Sequence, residues 1–277
     1  MARRIHEAGH ELVLWNRDRS KADSLAADTA AEVAETAASA ARSADLIVTS
    51  LADDEALRAV YLDPQGVAAG IRPDSIAVDT STVNPGAIIE VGATIDARGA
   101  GFLDCPVSGS VSSVEAGVLT IMAGGDPGLI ARVEPLLSSI SKRVIRVGPR
   151  GAGAACKLAV NGLVHGLNLA LSEALVLAER AGVDRDMAYE VFVNGAGGAP
   201  FVEYKREAYL HPESAVVAFT LDLVAKDLEL ITGLGAAVGA PMRQAETGLK
   251  IVRRAIDSGM GGRDLSAIAV YLRGNGG

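Results

Sequence analysis

Three stretches of this 277-residue chain gather side chains that can do chemistry. In the first, Asp104-Cys105-Pro106-Val107-Ser108-Gly109-Ser110 closes an apolar run and is followed by Gly117, Leu119–Met122 and a Gly124-Gly125 turn. A Ser108-Gly109-Ser110 turn at a strand end offers hydroxyls and exposed amides, the donors that cradle a carboxylate; an ordinary turn with capping hydroxyls uses the same residues. In the second, Gly148-Pro149-Arg150-Gly151-Ala152-Gly153 leads into a helical pattern that carries Lys157 and Asn161. Residues four apart share a helix face, so one can transfer a proton while the other orients. A lysine near a helix N-terminus sits in a field that disfavours its charged form, and partial burial acts in the same direction. The competing reading is a solvated surface lysine beside a helix-surface asparagine. The third stretch runs Phe219-Thr220-Leu221-Asp222-Leu223-Val224-Ala225-Lys226-Asp227-Leu228.

Other reactive types form no pattern. His6, His10, His165 and His211 are scattered without ligand spacing and receive no role, and no metal is required. Cys105 and Cys156 are too few and too far apart for a disulfide framework or a zinc site, and read as free thiols.

Short β-rich runs alternating with helical patterns are expected to position these residues. Candidate strands are Leu12–Trp15, Leu46–Ser50, Ile76–Val78, Gly101–Leu103, Leu119–Met122 and Val144–Val147. Helices fit from about Asp18, after Asp53, and after Asn84-Pro85, where Asn caps and Pro takes the first helical position. This alternation is the signature of βαβ units. After Gly148 no further strand pattern appears. Gly151–Gly182 reads as one long helix with leucines at 158, 163, 167, 171 and 175. Asp184 caps the next, and further helical runs lie near Phe219–Leu234, Pro241–Ser258 and Leu265–Leu272. The expected fold is therefore an α/β doubly wound parallel sheet over residues 1–148, followed by an all-α domain over 149–277. No internal repeat is present, and the one biased segment is Ala-rich, Ala26–Ala44.

Composition sets limits. With 26 Lys and Arg against 34 Asp and Glu, the net charge of −8 gives no general field for a phosphate backbone, so nucleic acid is excluded as a partner. No segment is read as the ~20-residue apolar span of a membrane helix, and no signal peptide follows Arg3 and Arg4. A cytoplasmic location and no membrane partner are expected.

Taken together, D-x-P-V-S-G, G-x-G-x-x-x-K-x-x-x-N and the late K-D-L, in this order and spacing, resemble the β-hydroxyacid dehydrogenase family, that is, 3-hydroxyisobutyrate dehydrogenase-like oxidoreductases. The resemblance covers nearly the whole chain. It implies a Rossmann domain joined through a long interdomain helix to a helical domain, an active site in the cleft, and homodimers or tetramers formed largely through the helical domains. It implies Lys157 as catalytic acid/base, Ser108 and Gly109 holding the substrate carboxylate, Asn161 orienting the substrate, and Lys226 near cofactor and substrate with Asp227 supporting it. Ser110 stands where the family usually has a second glycine and would crowd that cradle. For the cofactor, Asn16-Arg17 occupies the place where an acidic residue would take a ribose hydroxyl and a basic one a 2′-phosphate, which favours NADP(H) and leaves NAD(H) open. Leu51, Ala52 and Thr82 match positions lining the dinucleotide path. The implied reaction interconverts a small β-hydroxy acid and its semialdehyde or keto partner.

One part of the pattern is missing. Ala2–Ala8 reads as the end of a helix stopped by Gly9, and no opening strand or G-x-G-x-x-G precedes it. Met1-Ala2-Arg3 reads as a family segment cut at its Met, roughly fifteen residues short, the length of a strand plus a Gly loop. Two other readings stay in play: an imine reductase-like enzyme, against which Lys157 argues, and a catalytically silent dimeric protein that lost its dinucleotide loop.

Overall fold

The computed structural model describes residues 1–274. The chain divides into two compact units, Met1–Lys157 and Leu158–Gly277. By contacts, the division falls inside the long helix.

In the first unit, β1 (Val13–Leu14) and β2 (Glu32–Val33) form a two-stranded parallel ladder of their own. A six-stranded sheet holds β3 (Leu46–Thr49), β4 (Ile76–Asp79), β5 (Gly101–Asp104), β6 (Val107–Ser108), β7 (Leu119–Gly124) and β8 (Ser141–Gly148). Its order is β3-β4-β5-β7-β6, with β8 beside β7. Strands β3, β4 and β5 are parallel and in register, which puts Thr49, Asp79 and Asp104 in one row at their carboxyl ends. The ladders β3–β4, β4–β5 and β7–β8 are parallel, as expected of a doubly wound sheet, and β7 runs antiparallel to β5 and β6 as a local reversal. The cause is local: after β6 the chain reverses through a turn with Gly109 at φ +145° and Gly117 at φ +68° instead of crossing over. Buried Ile76, Ala77, Val78, Phe102, Leu103, Ile121 and Ala123 give the continuous apolar strands of a sheet covered on both faces.

The covering helices are α1 (Ala2–Glu7), α2 (Arg19–Thr29), α3 (Ala37–Ser43), α4 (Asp54–Leu62), α5 (Val67–Gly70), α6 (Pro85–Asp96), α7 (Val111–Glu115) and α8 (Pro127–Ser138). Asp18, Asp53 and Asn84 cap α2, α4 and α6 through their side chains, as their positions before helical patterns predict. Helix α3 and strand β2 lie inside the Ala-rich stretch that reads as biased sequence. A reciprocal Thr36–Ser39 capping box starts α3, and the small face of its alanines is buried.

Helix α9 (Ala152–Arg180) begins in the first unit and continues into the second. The rest of the second unit is α10 (Arg185–Asn194), α11 (Pro200–Tyr204), α12 (Arg206–Leu210), α13 (Leu221–Val238), α14 (Arg243–Ala255), a π-helical turn Ile256–Met260 and α15 (Ala267–Gly274). Among the described residues this unit has no strand, only an isolated bridge between Thr220 and Asp264. By length and composition alone α9 could cross a membrane, which the sequence reading had not credited to any segment. Its packing explains the apolarity otherwise. Leu158, Leu171 and Leu175 enter the helical core, while Asn161, His165, Asn168 and Ser172 form a buried polar seam along the same helix.

The start of α9 is fixed by close backbone approach. A Cβ on Gly153 would strike the carbonyl oxygen of Asp104 and stand 2.6 Å from that of Met122; one on Gly124 would lie 2.5 Å from Asp104 Oδ1. Neither neighbour can move without shifting a strand. Gly153→Ala is therefore expected to lower the unfolding free energy by about 1–3 kcal/mol in urea denaturation; an unchanged midpoint and slope would show that the strands yield freely.

Candidate active site

Asp104 closes β5 and is fully buried. Its Oδ1 accepts the Gly151 N–H at 2.9 Å and its Oδ2 the Ala154 N–H at 2.8 Å. An acidic side chain thus satisfies donors that the first turn of α9 would otherwise leave open. Burial raises its carboxyl above the ordinary range, against the pull of the Ala154 and Gly151 amides. The carboxylate also faces the positive end of the helix. Arg150, in the preceding turn, makes a two-pronged ion pair with Asp96 at 2.7 and 2.8 Å and lies over the Phe102 ring. Lys157, half-buried, follows less than two turns into the helix.

Beside Asp104, Asp79 organises the neighbouring loops. Its Oδ2 accepts from Thr49 Oγ1 at 2.6 Å and Ser81 Oγ at 3.0 Å, and its Oδ1 accepts the Ser81 N–H at 3.0 Å. Ser81 Oγ in turn accepts the Leu51 N–H at 2.8 Å. A single serine thus ties the loop after β3, with Leu51 and Ala52, to the loop after β4, with Thr82. None of Asp79, Ser81 and Asp104 had been assigned a task; a signal existed in the apolar strands that end on acids. Burial pushes the Asp79 carboxyl up to about 6 despite those hydrogen bonds, and the Asp104 charge adds to the rise.

Arg17 is exposed in the turn between β1 and α2. It sits in a tight turn in which Asn16 Oδ1 accepts the Asp18 N–H at 2.9 Å. Asp18, a competitor for any cation here, has Oδ1 on the Ser20 N–H at 3.1 Å and on Ser20 Oγ at 2.7 Å.

Ser108 lies on β6, paired with Thr120 of β7. Gly109 follows with the positive φ already noted, and a Cβ there would meet Leu119 at 2.7 Å, so only glycine fits this turn. The Ser110 hydroxyl caps α7 in a reciprocal box with Ser113 and lies 2.7 Å from Ser112 Oγ, the capping use that such a turn also allows.

In the second unit, Asn161 and Lys226 meet on one carboxylate. Asp227, on α13 and fully buried, accepts from Asn161 Nδ2 at 2.6 Å, and Lys226 Nζ stands 3.3 Å from its other oxygen. His165 Nε2 lies 3.4 Å from the oxygen that Asn161 uses. Burial works to raise the Asp227 carboxyl, but the His165 hydrogen bond, Lys226 and Asn161 outweigh it and hold it below the ordinary value. Histidine 165, given no role from sequence, stands four residues beyond Asn161 and so shares its face.

A mostly parallel sheet whose strand-end loops gather at one edge is an arrangement that takes dinucleotides, and it is followed here by a helical unit in which Asn161 and Lys226 meet on the buried Asp227. Comparison with known proteins names the family. Residues 1–148 match the NAD binding domain of 6-phosphogluconate dehydrogenase, and residues 151–272 the NAD-binding domain of NADP-dependent 3-hydroxyisobutyrate dehydrogenase. The chain is 30% identical to mitochondrial 3-hydroxyisobutyrate dehydrogenase of Drosophila melanogaster, covering 97% of this chain and 84% of that one. It is 32% identical to 2-(hydroxymethyl)glutarate dehydrogenase of Eubacterium barkeri, covering 82% and 76%. Among solved structures, Mycobacterium tuberculosis 3-hydroxyisobutyrate dehydrogenase with L-serine superposes with a TM-score of 0.87 at 29% identity, covering 98% of this chain and 93% of that one. The chain belongs to the β-hydroxyacid dehydrogenase family and is an NAD(P)-dependent oxidoreductase.

The raised Asp79 carboxyl has a signed consequence. The folded state holds its proton more tightly than the unfolded chain, so its stabilising contribution is complete below the ordinary value of 3.8 and is lost as pH rises through about 6. Asp79→Asn lacks this dependence. Urea titrations across that range should show the variant gaining on the wild type as pH rises; a constant difference would contradict the raised value.

Proposed function

We propose that this chain is an NADP(H)-preferring β-hydroxyacid dehydrogenase in which Lys157 is the general acid/base and Ser108 and Gly109 receive the carboxylate of a small substrate. One observation carries the reading. Lys157 and Asn161 share a face of α9, and Asp104 holds the first turn of that helix at the carboxyl end of β5, in the row from which the loops after β3 and β4 also begin.

That edge suits a dinucleotide, because open α/β sheets take ligands outside the carboxyl ends of their strands. Leu51, Ala52 and Thr82 line it, and the Ser81 tie keeps their two loops together. Asn16 and Arg17 follow β1, with the guanidinium exposed and Asp18 engaged on Ser20, an arrangement that favours a 2′-phosphate over a bare ribose. Lys226, held beside Asp227, supplies a second positive charge to cofactor and substrate.

A bound nicotinamide would supply the acceptor for the hydride that leaves the carbinol carbon. Lys157 removes the hydroxyl proton as the carbon–oxygen bond becomes a carbonyl, and returns it in the reverse direction. Asn161 orients the reacting group, its own amide nitrogen fixed by Asp227. Ser110, engaged as a helix cap, is left out of the proposed cradle.

Leu163, Leu177, Met187 and Val191 of α9 and α10 are 61–71% exposed, an apolar surface that supports a homo-oligomer in which a second copy covers it. Light scattering should then give a dimer or larger.

The deciding experiment pairs turnover with calorimetry on the full chain. Lys157→Ala should lose about 10²-fold or more in kcat on β-hydroxy acids. Its affinity for NADPH should stay at the wild-type value and exceed that for NADH. Unchanged turnover would remove Lys157 from the chemistry; tighter NADH binding would reverse the cofactor preference.

A further inference from the structure

The polar seam of α9 ends on a carboxylate with more donors than a simple lysine support requires. Asp227 Oδ2 accepts the Asn161 amide at 2.6 Å and faces His165 Nε2 at 3.4 Å, while its Oδ1 faces Lys226 Nζ at 3.3 Å without hydrogen-bonding geometry. His165 and Asp227 are both buried, and the Phe219 ring packs at 5.9 Å from the imidazole. The imidazole's tautomer follows from its partners. A carboxylate only accepts, and Nδ1 meets no partner, so in the neutral ring the proton sits on Nε2 and is donated to Asp227. Without that donor, Oδ2 would keep only Asn161, and the carboxylate would be free to turn towards Lys226. Any such turn carries the Asn161 amide with it, because the two share their shortest bond.

We propose that His165 is a positioning residue: by donating to Asp227 Oδ2 it fixes the carboxylate that holds the Asn161 amide and the Lys226 ammonium in place for the reaction. The inference rests on the dehydrogenase reading only for its kinetic consequence; the contact itself is independent of it. Its position also explains why a histidine can stand in the apolar stripe of α9: it satisfies a buried charge that α13 brings there.

The test compares His165→Phe, which keeps a ring against Phe219 but has no donor, with His165→Gln, whose side-chain amide restores one near the Nε2 position. Two quantities are measured on the full chain: kcat and KM for the β-hydroxy acid that the wild type turns over fastest, and the side-chain amide resonances of Asn161, assigned by their loss in Asn161→Asp. In the Phe variant kcat should fall about tenfold or more, with KM changed less, since sub-ångström misplacement acts on the reacting geometry. Its Asn161 amide resonances should move. In the Gln variant both should return towards the wild type. If the Phe variant does not fold, His165→Leu takes its place. Equal behaviour of the donor and non-donor variants, or unmoved Asn161 resonances in both, would overturn the proposal. If the wild type oxidises no β-hydroxy acid, the dehydrogenase reading fails, while the resonances alone still decide the positioning contact.

Discussion

The Asp104 carboxylate beneath the first turn of α9 is the constraint on which the rest of the arrangement depends. Two amides of that turn are bonded to it, and Gly124 and Gly153 have no side chain because strand and helix backbones approach too closely there for one. These contacts fix the first turn of α9 against the end of β5, the turn that directly precedes Lys157. The same row of strand ends holds Asp79, whose bonds to Thr49 and Ser81 set the adjacent loops. Two buried acids on neighbouring parallel strands therefore order different things: one the first turn of the helix that carries Lys157, the other the loops after β3 and β4.

Further along α9 a different balance holds. The helix is apolar enough to pass for a membrane span, yet its buried face carries four polar side chains. Each has a partner in the second unit. Asn161 and His165 use Asp227, Asn168 reaches the Leu265 carbonyl and the Tyr209 hydroxyl, and Ser172 bonds back to the Asn168 carbonyl. In lipid these groups would go unmet, whereas here they fix one rotation of α9 against α12 and α13. Lys205 and Asp264 do a comparable job nearby. Their buried ion pair, at 2.8–2.9 Å, also takes the Ala218 N–H and so holds the chain just ahead of α13.

Much of this was legible in the sequence where local chemistry is decisive. Asp18, Asp53, Asn84 and Asp184 announced helix starts because a cap is read within three residues. The strands ending at Thr49, Asp79 and Asp104 were legible as apolar runs, and the spacing of Lys157 and Asn161 as a shared face. What stayed hidden depends on distant partners. The reversal into β7 turns on Gly109 and Gly117, whose positive φ is a backbone property that an apolar-run pattern does not register. Strand β2 is two residues long and its helix neighbour is nearly all small residues, so neither has a periodicity to read. The cap at Ser110 was one of two uses that its turn left open, and the sequence alone does not choose between them. His165 looked like a stray histidine because the residue that gives it meaning, Asp227, lies 62 positions away.

The claim at the centre is that α9 carries the acid/base of a β-hydroxy acid oxidation. The most direct measurement follows the substrate's own hydrogen: incubate the chain with NADP⁺ and β-hydroxy acids deuterated at the carbinol carbon, and examine the nicotinamide by NMR. Deuterium at the nicotinamide C4 of the reduced cofactor, with the matching carbonyl product, is the expected result. Cofactor that binds but stays unlabelled and oxidised with every acid tried would contradict it.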